Sequence, residues 1–161
     1  MKWENSFEVH KEKNKSKLAI NFSLLGISLT IFTFIIVQKP KLLGDNIFLT
    51  LQLVCAIPLL VSSIFSRSKF IYNQEKKRYS TFAYITFLLA YSFIINSIGM
   101  LLFSVISPLT SYLFFGINVI SALIYSGVEI SYDRKAIKER IIKDLIFIVL
   151  IVVLGILPVL R

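Results

Sequence analysis

Five apolar runs, at about 18–37, 46–65, 81–106, 109–130 and 145–160, alternate with short polar stretches along the chain. A hydrocarbon core about 30 Å thick is crossed by roughly 20 helical residues, each rising about 1.5 Å. Four of the runs meet that length outright. The fifth meets it once the amphipathic turn before it enters the interface. The centre of the pattern is the firmest part, because residues 79–128 contain no Lys, Arg, Asp, Glu or His. That stretch is too long for one span and reads as a helical hairpin. Its reversal is placed at Ser107-Pro108, since proline disfavours a helical residue before it and has no N–H with which to continue a helix. The predicted fold is an all-α integral membrane protein. It is a five-transmembrane-helix bundle over residues 18–161, preceded by a polar tail at 1–17 that is poorly ordered at its start.

Small and polar residues inside the runs fall on faces. In the first span Ser23, Gly26, Thr30 and Thr33 follow i, i+3, i+7 and i+10. Small residues let helices approach closely in lipid, where dispersion and hydrogen bonds replace the hydrophobic effect. Ser23, Gly26 and Thr30 are therefore assigned to helix packing, together with Gln52 and Gly99. In the second span Gln52, Cys55, Leu59, Ser62 and Ser66 share a face, and Pro58 is expected to bend the helix and free the carbonyl of Val54. Ser92, Asn96, Gly99 and Phe103 form a face of the third span. Ser111, Asn118, Ser121, Ala122, Tyr125 and Glu129 form one on the fourth. The fifth span has none. Apart from Gly155 and Pro158 it is Leu, Ile, Val and Phe, which predicts a helix at the periphery or at a subunit contact.

Composition agrees with this pattern. A hydrophobic fraction of 56% in 161 residues, with a mean hydropathy of +0.76, belongs to a membrane protein rather than a water-soluble globule. The net charge of +9 raises the question of nucleic acid. Its distribution answers no, because the basic residues flank apolar spans, where they set topology and meet lipid. Arg67, Lys69, Lys76, Lys77 and Arg78 in one loop, and Arg134, Lys135, Lys138 and Arg140 in another, are expected to contact anionic headgroups. The tail and these two loops hold all but three of the 18 Lys and Arg, the others being Lys39, Lys41 and Arg161. The positive-inside rule then places the N-terminus in the cytosol and the C-terminus outside. Abundant Ile, Lys, Asn and Phe with little Ala is what AT-rich codons encode, which fits a prokaryotic cytoplasmic membrane. A shift of sixty residues aligns Leu49-Thr50 with Leu109-Thr110, and Leu53, Ile57, Ile64, Ser66 and Tyr72 with Leu113, Ile117, Ile124, Ser126 and Tyr132. This suggests a tandem repeat of two parallel helical hairpins plus a fifth peripheral helix.

Candidate chemistry is sparse. No nucleophile elbow, phosphate-binding glycine loop, dinucleotide fingerprint or zinc-helix motif is present. One His, His10, and one Cys, Cys55, cannot build a zinc or haem site of the usual ligands within one chain, so no metal or cofactor is expected. Glu129 admits two readings: a cation or proton site at the inner mouth of the bundle, or an interfacial carboxylate paired with Arg134 or a lipid-facing Lys. The second is preferred because the residue lies near the end of its span. Asn96 and Asn118 are at similar distances from the Ser107-Pro108 turn. They read either as a pathway with Ser92, Ser121, Tyr125 and Glu129, or as a hydrogen-bonded pair that holds the hairpin, which is preferred. The expectation is a non-enzymatic multi-pass membrane protein that acts as a binding, accessory or protective partner, as a homo-oligomer or with another membrane protein. The alternative is a small oligomeric transporter or channel protomer using the polar face of spans three and four.

Overall fold

A computed structural model describes residues 2–72, 77–132 and 137–160, and every described element is helical. The chain forms α1 (Lys2–Gln38), α2 (Pro40–Asp45), α3 (Ile47–Tyr72), α4 (Lys77–Val105), α5 (Pro108–Tyr132), α6 (Ile137–Ile151), a π-helical turn (Val152–Ile156) and α7 (Leu157–Val159). Five stretches are long and apolar enough to cross a membrane: Asn14–Gln38, Ile47–Tyr72, Arg78–Val105, Pro108–Val128 and Ile141–Val159. The polar tail differs from expectation. Its residues from Lys2 onward are helical and continue without a break into the first span.

The central reversal lies where proline chemistry puts it. Pro108 opens α5, where its missing N–H costs nothing. Ser107 caps the helix: the Thr110 N–H donates to Ser107 Oγ at 3.2 Å, and the two hydroxyls lie 2.8 Å apart.

The helices divide into two compact units, with α3 and α4 each contributing to both. One unit comprises Met1–Asn46 and Leu53–Tyr91. In it α1 buries Asn14, Asn21, Ser28 and Ile35, spaced at exact sevens. Around them Leu53, Ala56, Leu60, Ala83 and Ala90 are fully enclosed. Ser23, Gly26, Thr30 and Thr33, expected on the packing face, are exposed. Helix positions advance by about 100° each, so these four fall on the side of α1 opposite the buried sevens. A Cβ added at Gly26 would meet nothing within 4 Å. Both stripes obey helical spacing. The one carrying the larger polar groups, which need partners in hydrocarbon, is the one turned inward.

The other unit comprises Ile47–Gln52 and Ser92–Arg161. Its core holds Leu49, Ile94, Met100, Phe115 and Ile151. Phe115 fixes the geometry. A Cβ at Gly99 would overlap the Phe115 ring, and one at Gly155 would lie 2.9 Å from it. The ring therefore packs against two glycine backbones, and Ser111 Oγ donates to the Gly99 carbonyl at 2.8 Å. This is close helix approach through small residues.

Candidate functional site

Among the described residues, a buried polar cluster joins helices within each unit. In the first, Arg67 is the organising group. Ser63, Arg67 and Ile71 recur every four residues on α3 and face inward. The Arg67 side chain is only 2% exposed. Its Nη1 donates to Asn14 Oδ1 at 3.2 Å. The Asn21 amide is assigned with its oxygen toward Arg67, because that orientation partners both of its atoms: it accepts from Arg67 Nε at 3.2 Å and donates to the Lys17 carbonyl at 3.1 Å. Ser63 Oγ donates to the Ala83 carbonyl at 2.7 Å and lies 2.8 Å from the Asn21 amide. The guanidinium also stacks on Phe87, with 5.6 Å from Cζ to the ring centroid. The partners so described are all neutral. The cluster joins α1, α3 and α4 through one forked cation.

This corrects the assignment of Arg67 to lipid headgroups. Counting basic residues reveals which side of the membrane a loop occupies but not which way a side chain on its helix faces. Lys69, from the same group, places its ammonium 5.8 Å from the Tyr79 ring centroid, and Arg78 is exposed. Lys76, Arg134 and Lys135 lie outside the described residues, as do the side chains of Lys77, Glu129, Lys138 and Arg140.

The second cluster is built on the last span. Gln52 Nε2 donates to the Leu154 carbonyl at 2.6 Å, and Asn96 Nδ2 donates to the Leu150 carbonyl at 3.2 Å. Gln52 is 5% exposed and Asn96 is 0% exposed. Leu154 lies in the π-turn at Val152–Ile156, and Leu150 lies two residues before it, in α6. The bond to Leu154 follows from sequence chemistry. In an α-helix the Leu154 carbonyl would accept from residue 158, which is proline and has no N–H. Gln52 supplies the missing donor from a distant part of the chain. Gly155 allows the other approach, since a Cβ there would stand 2.5 Å from Asn96 Oδ1. Among the described residues Gln52 Oε1 and Asn96 Oδ1 have no hydrogen-bond partner.

The last span is therefore peripheral in area and not in attachment. Only 17% of its most apolar window is buried, yet Phe147, Ile151 and Gly155 are enclosed and two of its carbonyls are gripped by amides. The expectation of a helix at the periphery or at a subunit contact considered side chains alone.

Asn96 and Asn118 do not bond to each other. Asn118 Nδ2 turns back to the Phe114 carbonyl of its own helix at 2.8 Å. Of the residues proposed as a pathway, Asn96 and Ser92 are enclosed while Ser121 and Tyr125 are exposed. Where the last two spans meet near the other end, the Ser126 hydroxyl donates to the Asp144 carboxylate.

Sequence reading overlooked Asn14, Asn21, Phe115 and the main chain of Leu150 and Leu154. The sevens Asn14, Asn21 and Ser28 were a signal for the first cluster. Pro158 was one for the second, by the rule already applied to Pro58. Among the described residues no group of three or more His, Cys, Asp or Glu could hold a metal ion. The chain matches no protein-family model and resembles no curated protein or solved structure, so its own geometry is the guide to what it does.

Proposed function

We propose that this chain is a non-enzymatic multi-pass membrane protein that binds another membrane protein as an accessory or protective partner. The observation that carries the reading is where the amides go. Asn96 is fully enclosed and spends its N–H on a main-chain carbonyl. Gln52 does the same. A conduit needs polar groups that exchange partners with a passing solute, whereas these two hold helices together. Meanwhile α1 offers Ser23, Gly26, Thr30 and Thr33 on an exposed face. A shallow depression there is lined by Leu29, Thr30, Thr33, Phe34, Val37 and Gln38. Small residues on a lipid-facing helix are suited to a partner helix.

In this reading the N-terminus is cytosolic and the C-terminus external, the two helical hairpins are parallel repeats, and Lys69, Arg78 and the basic loops meet anionic lipid. The protein resides in a cell membrane. The test has two arms. A photocrosslinker at Thr30, in native membranes, is expected to give a discrete adduct with a second membrane protein, and purified protein in proteoliposomes is expected to pass no ions. Flux that disappears in Asn118→Leu, with no adduct at Thr30, would replace this reading with the transporter.

A further inference from the structure

We infer that the last span is a two-register element, switched by release of the Gln52 amide from the π-turn and of the Asn96 amide from the Leu150 carbonyl two residues before it. A π-turn accommodates one residue more than α-helical winding does, at the expense of poorer backbone geometry. Gln52 Oε1 and Asn96 Oδ1, on the two amides that hold the last span, are buried without partners among the described residues. Against those costs stand two amide-to-carbonyl bonds, one of which reaches a carbonyl that Pro158 orphans. Gly155 contributes no side chain that would block Asn96. The opposing terms are few, local and of similar kind, which is what a bistable element requires. Releasing the amides lets Val152–Ile156 rewind as α-helix. The segment beyond then turns by about 100° and advances by about 1.5 Å. Val153, Leu157, Pro158 and Leu160, which line an apolar cleft with Phe48, are the residues this motion would re-aim. The switch therefore changes the side chains that the end of the last span presents, with no change in the rest of its helix.

Spin labels at Ile47 and Leu160, both exposed, report the register in a Cys55→Ser background. Distances are measured on the whole protein in lipid nanodiscs. Asn96→Leu removes one grip and is expected to shift the ratio of two distance populations about fivefold or more toward the released register. Gln52→Leu is expected to act in the same direction and serves if Asn96→Leu does not fold. Deleting Val153 removes the extra residue while leaving Leu160 where the π-turn puts it, so only the unreleased distance should remain. Identical distance distributions in the parent, in the foldable amide variant and in the deletion would overturn the switch. So would a deletion that moves the distance in the same direction as Asn96→Leu.

Discussion

The first and last spans are buried to the same small extent, 17% of their most apolar windows, and are held by opposite means. The first gives side chains: Asn14 and Asn21 reach Arg67 and Ser63. The last gives main chain: Leu150 and Leu154 accept from Asn96 and Gln52. A helix that lends side chains can be replaced only by one with the same residues at the same sevens. A helix that lends carbonyls depends on the glycine and the proline that expose them, with few further side chains held: Asp144 by Ser126, and Phe147 and Ile151 by burial. In lipid, where apolar surface alone selects no partner, these are two ways of giving a helix an address.

The comparison fails first, if it fails, at Gly155. Gly155→Leu places a side chain where a Cβ alone would come within 2.5 Å of Asn96 and 2.9 Å of Phe115. A loss of about 3 kcal/mol is expected, near the upper end of overpacking costs, read as a large fall in thermal midpoint in detergent. A small loss would mean that the last span is not seated as described.

A smaller effect is expected at the other attachment. Arg67→Met keeps the apolar stem and removes the donors to Asn14 and Asn21, which should cost about 1–3 kcal/mol, because two hydrogen bonds from a charged group to buried amides are lost. Chemical denaturation of the solubilised protein measures it. Unchanged stability would show that α1 is held by dispersion alone.

The smallest effect is expected at Gly26, which faces open space. Gly26→Leu should change stability by less than about 1 kcal/mol, helix propensity favouring the substitution. A loss as large as that of Gly155→Leu, in purified monomer, would return the first span's packing to its small-residue face.

The five spans and the central reversal were legible because span length and proline chemistry act locally. The identity of the packing face on α1 was harder. Ser23, Gly26, Thr30 and Thr33 satisfy helical spacing as well as Asn14, Asn21 and Ser28 do, and periodicity cannot rank two valid stripes. The need of an amide for a partner in hydrocarbon could have ranked them. The grip on the last span was hidden for another reason. Carbonyl acceptors occur at every position, so nothing in 145–160 distinguishes Leu150 or Leu154. Only Pro158 marks the latter, and nothing local connects it to Gln52, 102 residues away.

The unbroken course of α1 has a mechanical consequence. Its 37 residues form a rod about 55 Å long, of which about 30 Å suffices for the hydrocarbon. The remainder continues the same helix beyond the length the hydrocarbon requires. A rotation of the apolar section would be carried along one continuous helix toward residues 2–13 rather than absorbed at a turn.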